Sequence, residues 1–166
     1  MRRSTTFRAL GNKRNYFAPS KDLLNAMYIN LHEYGVGGFS GYYWSSSEIN
    51  SNYANGLSFN NGSDISDLKD TEHKVRACCS FMAEEGVYSL RDEGRTGGLI
   101  CYISGTIYYE AAPSDQSAGK AWSNVTELLI GTTGTVIGTG QANTLAIIEQ
   151  AGHIDSVAKL CNDLIL

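Results

Sequence analysis

Four acids, Asp64, Asp67, Asp70 and Glu72, fall in one short run. So dense a set of carboxylates would suit a calcium loop. That chemistry needs ligands at alternate positions in the order D-x-[DN]-x-[DN]-G. The intervals here do not match, and a solvated acidic loop is the expectation. The four cysteines are Cys78, Cys79, Cys101 and Cys161, and none lies in a C-x-x-C or zinc-type spacing. Neighbours on a strand point to opposite faces, so Cys78 and Cys79 do not enter one site together. Buried free thiols are expected, with no metal and no redox role. The three histidines, His32, His73 and His153, have no Cys or Ser partner in a recognisable motif. "GTGQAN" from Gly138 imitates a dinucleotide loop, but its sixth residue is Asn143 and no βαβ unit surrounds it. "AAPSDQSAGKAW" carries Ser114, Asp115 and Lys120 and reads as a turn leading to a buried Trp122. No catalytic residue, metal or cofactor is expected, and the chain does not read as an enzyme.

Recognition chemistry is better represented. "GYYWSSSEINSNYANGLSFNNGSDISDLKD", Gly41 to Asp70, combines Ser, Asn, Gly, Tyr and Asp with recurring aromatics. Side chains alternate across a strand. Trp44, Ala54, Leu57 and Phe59 are the expected inward anchors, with a turn or bulge between Glu48 and Asn52. The Asn, Ser, Tyr and Asp residues are left facing solvent. Tyr offers contact area with few torsions to freeze, and Ser, Gly and Asn offer adaptable hydrogen bonds. A contact surface and a ligand-free surface hairpin both fit this composition.

The chain has 166 residues, 42% of them hydrophobic and 18% charged, which favours one domain with a sizeable core. The net charge of −4 argues against general nucleic-acid binding. Arg2, Arg3, Arg8, Lys13 and Arg14 all precede the first acid, Asp22. Residues 1–15 are expected to be a loosely ordered basic leader, because the run lacks the apolar face of an interfacial helix. No apolar run approaches the ~20 residues of a membrane span. The start shows no secretory h-region.

Elements must hold these groups in place. "PSKDLLNAMYINLHEYG" predicts a helix capped by Ser20, with Leu23, Leu24, Met27, Tyr28, Leu31 and Tyr34 on one stripe and Gly35 just past its end. "GYYWSSS" and "YANGLSF" predict strands, and Asn61-Gly62 a tight hairpin turn. "HKVRACCSF" predicts one further strand, with Val75, Ala77, Cys79 and Phe81 on one face. "GGLICYIS" and "TIYYEAA" predict a hairpin around Ser104-Gly105, and "TGTVIGTG" a loop. A short helix capped by Asn143 or Thr144 runs to Gly152. Another, capped by Asp155 or Ser156, has Val157, Leu160, Cys161 and Leu164 inside. The fold class is α+β: helices packed on an antiparallel, hairpin-rich sheet.

The series Trp44, Ser45, Ser46, Ser47, Glu48, then Ala54, Phe59, Gly62, Lys69, Val75 and Arg76 resembles bacterial and phage C-type-lectin-like domains of the Lcl C-terminal type. That group is similar to the variable proteins of diversity-generating retroelements and to formylglycine-generating-enzyme folds. "GGLICY", "AAPSDQS", "IGTGQANT" and "AKLCNDL" also look like the family, but in rotated order. Residues 16–81 match the family's C-terminal half and 97–166 its N-terminal half, with 82–96 as a linker. The resemblance therefore implies a circularly permuted C-type-lectin-like domain over 16–166. Adjacent termini tolerate such permutation. Exchange of halves between two chains fits the same order.

The resemblance implies a ligand- or receptor-binding module displayed on virions or cells, such as an adhesin, with an unknown protein, glycan or small molecule as ligand. Carried over by position, its contact residues are Asn50, Asn52, Tyr53, Asn55, Ser58, Asn60, Ser63, Asp64, Ser66, Asp67, Asp70 and His73. The family often has an aromatic where Asn55 stands. Glu48 and Arg76 read as structural groups that pair or bond loop backbone. The sugar-binding calcium motif, Glu-Pro-Asn or Gln-Pro-Asp, is missing, since Pro19 and Pro113 both follow alanine. An oxidase of the formylglycine-generating type would need a converging thiol pair, which adjacent Cys78 and Cys79 fit poorly.

Overall fold

The computed structural model describes residues 15–165. The basic leader therefore lies, apart from Asn15, outside the described residues. Helix α1, Lys21–Asn30, begins where the Ser20 side chain accepts the Leu23 N–H. It buries Leu23, Leu24, Ala26 and Met27. A 3-10 turn, His32–Tyr34, follows and stops at Gly35, whose φ of 71° suits glycine. Tyr34 is exposed rather than part of the inner stripe, because this turn breaks the helical period.

Strands β1 (Tyr42–Glu48), β2 (Tyr53–Ser58) and β3 (Asp64–Leu68) form an antiparallel meander. A register shift between Trp44 and Glu48 absorbs the three serines. Strand β4, Glu72–Val75, pairs parallel to β1 and antiparallel to β8, Ser117–Ala121. The sheet order is β3-β2-β1-β4-β8. Only Lys69, Asp70 and Thr71 join β3 to β4, although β2 and β1 lie between them. So short a link demands a strongly curled sheet.

A second antiparallel sheet has the order β5-β7-β6, from β5 (Cys78–Met82), β6 (Leu99–Ser104) and β7 (Ile107–Ala111). The single strand expected over "HKVRACCSF" is thus two strands in different sheets. The chain crosses between them at Arg76 and Ala77, where the Ala77 N–H leaves the ladder to donate to the Gln116 side chain. Helices α2 (Gly140–Ile148) and α3 (Val157–Asn162) complete the α+β fold. Helix α2 starts earlier than expected. Asn143 and Thr144 lie inside it, buried, and do not cap it. Asn143 instead bonds Gly134 and Ser46, and Thr144 Oγ1 accepts the Ala18 N–H at 3.0 Å. Ser156 caps α3 by accepting the Lys159 N–H.

Two apolar clusters flank the sheets. One gathers α1 residues with Phe39, Tyr43, Leu57, Phe59, Cys78 and Cys101. The other gathers Trp44, Ala54, Cys79 and Trp122 with α2 and α3. The segment 82–96 packs on this frame. Arg91 N–H donates to Ile100 O, Ile100 N–H donates to Asp92 O, and Tyr108 Oη donates to Glu84 O. The Arg91 guanidinium lies 3.8 Å from the Tyr34 ring centre. No helix among the described residues is long and apolar enough to cross a membrane.

Candidate binding surface

The β2–β3 register divides the candidate residues between two faces. Tyr53 stands opposite Leu68, Asn55 opposite Ser66, and Leu57 opposite Asp64. Opposed residues share a face. At the Leu57 end this face is covered by α1, and Lys21 at the helix start reaches Asp64 at 3.2 Å. At the other end Tyr53 and Leu68 are exposed, at 39% and 44%. Tyr53, Asn55, Asp64 and Ser66 therefore lie together. Asp67, paired with Ala54, lies on the opposite face.

The curl brings Asp67 to His73, with Oδ2 2.6 Å from Nε2. The His73 ring also packs edge-on against Trp44, and its side chain is 11% exposed. Ser58, expected in solvent, is buried, with its hydroxyl accepting the Asn60 N–H at 3.3 Å. Asn50 and Asn52 occupy the β1–β2 turn. Asn50 Oδ1 accepts the N–H groups of Asn52 and Tyr53, both at 2.9 Å, so that oxygen shapes the turn. Asn60 and Ser63 lie at the β2–β3 turn, where Gly62 N–H donates to Ser58 O at 2.7 Å. Asp70 lies in the β3–β4 link. The acids from Asp64 to Asp67 form strand β3, not the loop expected. Among the described residues, no three His, Cys, Asp or Glu side chains gather as a metal site.

A buried ion pair ties the β3–β4 link beneath this surface, and a second charge cluster braces the loops around Gly37 and Ala112. Glu48 accepts the Lys69 ammonium at 2.7 Å and the N–H groups of Ile130 and Gly131. Lys69 also donates to Leu128 O and sits 5.0 Å from the Trp122 ring centre. Arg76 binds Asp115 and the carbonyls of Gly37, Gly38 and Ala112. Glu48 and Arg76 thus bond loop backbone, each with a different charged partner. Tyr43 donates to Asp115 at 2.8 Å. Burial, reinforced by that carboxylate, pushes its hydroxyl pKa well up.

All four thiols are buried. Burial pushes those of Cys78, Cys101 and Cys161 well above the ordinary thiol range. Cys78 and Cys79 belong to different apolar clusters, so neither cluster presents the pair to a common cleft.

Local sequence does not mark Lys69, Leu68 and Asp115 as residues that build this site. The alternation in "DISDL" was the available signal for Leu68, masked by the aspartates. Nothing in the sequence pairs Asp115 with Arg76 or marks Lys69 as buried. No family model, no curated protein and no solved structure matches the chain.

Proposed function

We propose that the chain is a non-catalytic ligand- or receptor-binding module, a circularly permuted C-type-lectin-like domain of the kind displayed by phage or bacterial surface proteins. The observation that carries the binding role is the exposed end of the β2–β3 face. There Tyr53 and Leu68, and Asn55 and Ser66, stand side by side over a frame tied by the buried Glu48–Lys69 pair. Such a surface combines aromatic and aliphatic area with adaptable polar groups and needs little ordering on binding. The family assignment rests on the spaced pattern from Trp44 to Arg76. The permuted order is supported by contacts between the two halves in one chain: β4 pairs with β8, and β5 with β7.

Those same pairings sustain a second reading, an assembly module in which two chains exchange halves by opening the 82–96 segment. Light scattering separates the two: a monomer supports closure, and a concentration-dependent dimer supports exchange. The binding role is tested by arraying glycans and surface-protein fragments against the native chain and a Tyr53→Ala/Asn55→Ala/Ser66→Ala variant. Ligands retained by the native chain and lost by a variant of unchanged melting temperature support it. Equal retention by both proteins overturns it.

A further inference from the structure

The sheet edges differ in how they are protected. The β6 edge is covered by Arg91 and Asp92, which exchange backbone bonds with Ile100. The β5 edge carries the Phe17–Cys78 bridge. On β8, the Gly119 N–H turns back onto Ser117 Oγ at 3.1 Å. Among the described residues, neither strand nor loop backbone pairs with the outer side of β3.

The ladder shows which β3 groups face outward. Ser58 N–H donates to Ser63 O, and Lys69 N–H donates to Asn52 O, both at 2.9 Å. Both bonds fit the register of Tyr53 with Leu68. In an antiparallel ladder alternate residues bond the neighbour. Ile65 and Asp67 therefore turn their backbone groups to β2, and Asp64, Ser66 and Leu68 turn theirs away. The Leu68 carbonyl is taken by the Thr71 N–H. The N–H and C=O of Asp64 and Ser66, and the Leu68 N–H, remain directed outward.

We infer that this edge accepts a cationic extended segment of a partner protein, which adds to β3 as a further strand. Charge selects the partner. Lys21 holds Asp64, His73 holds Asp67, and Lys69, buried, holds Glu48, while Asp70 and Glu127 at the Leu68 end make no ion pair among the described residues and carry the negative charge there. Two β3 edges brought together would oppose carboxylate to carboxylate, which disfavours self-pairing. A segment alternating Lys or Arg with apolar residues meets the opposite condition. Its apolar side chains share the face of Ile65, and its basic ones the face of Asp64, Ser66 and Leu68. Beside Leu68 opens a cleft of about 210 Å³ with Asp70 and Glu127 among its walls, which takes a basic side chain. Strand addition gives affinity through main-chain bonds and specificity through alternate side chains.

This inference rests on the reading of β2–β3 as a contact surface and names its partner class. The probe is a short capped peptide alternating lysine and valine, titrated against the full chain with amide exchange followed by NMR. Binding should slow exchange of the outward Ser66 N–H at least tenfold and should weaken as salt is raised. Ser66→Pro, which deletes an outward N–H without removing a ladder bond to β2, should raise Kd at least tenfold. Asp70→Asn with Glu127→Gln should raise it about fivefold, as expected for two partly screened ion pairs. A backbone N-methylated peptide should fail against the native chain, which keeps the test decisive if Ser66→Pro misfolds. Equal binding of that peptide, binding without Ser66 protection, or no binding overturns strand addition. Ligand loss in the Tyr53→Ala/Asn55→Ala/Ser66→Ala variant would then leave the contact surface standing. Without that loss, both fall.

Discussion

Lys69 Nζ lies 2.7 Å from Glu48 Oε2, with the two side chains 0% and 2% exposed. A buried pair is held by its whole shell. Here that shell includes the Ile130 and Gly131 N–H groups, the Leu128 carbonyl and the Trp122 ring. The pair therefore ties the β1–β2 corner, the β3–β4 link and the 128–131 loop to one point.

Removing one charge leaves the other buried without compensation. Lys69→Met is expected to cost about 3–5 kcal/mol, read as a fall in urea midpoint at unchanged slope. Adding Glu48→Gln to that variant should recover part of the loss. A double variant no more stable than Lys69→Met alone would show that shape, not charge, governs the site.

Arg76 uses its planar fork on Asp115 and three carbonyls. Lysine keeps the charge but cannot reproduce the fork. Arg76→Lys should cost about 2–3 kcal/mol, in the range of lost charged hydrogen bonds, and should speed amide exchange at the Gly37–Gly38 turn. Unchanged thermal unfolding would refute this role.

Ser58 and Ser66 provide a matched contrast on adjacent strands. Ser58→Ala removes a buried hydroxyl that accepts the Asn60 N–H and should cost about 1–2 kcal/mol. Ser66→Ala, on the exposed edge, should stay within about 0.5 kcal/mol of the native chain. Chemical denaturation of both tests whether Ser58 is a buried framework residue and Ser66 a surface one.

His153 gives the α3 cap a pH dependence. Its Nε2 lies 2.8 Å from Ser156 Oγ, which accepts the Lys159 N–H. In the Nδ1–H tautomer the neutral ring accepts the serine proton at Nε2 and leaves the oxygen aimed at the helix. Burial holds the imidazole below its ordinary 6.5, with Lys159 acting in the same sense and Asp155 opposing. The unfolded chain therefore takes up the proton first. The stabilisation is fully present above 6.5 and is lost as pH falls through the lower folded value. His153→Gln should flatten the fall in urea midpoint between about pH 7.5 and about pH 5. An unaltered slope would assign it to other groups.

Local signals were legible where local physics decides. Ser20, the apolar spacing after it and Gly35 set α1, and Asn61-Gly62 and Ser104-Gly105 set two hairpins. Long-range contacts overrode the rest. Asn143 and Thr144 look like caps, yet their side chains serve Gly134, Ser46 and Ala18, which only the fold brings near. "HKVRACCSF" has an unbroken strand composition, and nothing local marks the change of sheet at Arg76. The polar candidates were found as a stretch, but a sheet has two faces. Register and curl sent Asp67 and His73 to one face and Tyr53, Asn55 and Ser66 to the other.

The three-residue step from β3 to β4 also leads us to expect an order of assembly. The β1–β3 meander closes through short turns and can form from neighbouring contacts. Strand β4 reaches the far side of β1 only after that meander has curled, and β8 can join only after β4 has arrived. Contacts between distant segments are slow to form because loop closure must precede them. The β2–β3 face is therefore expected to take shape early, with β8 closing the far edge of the sheet last.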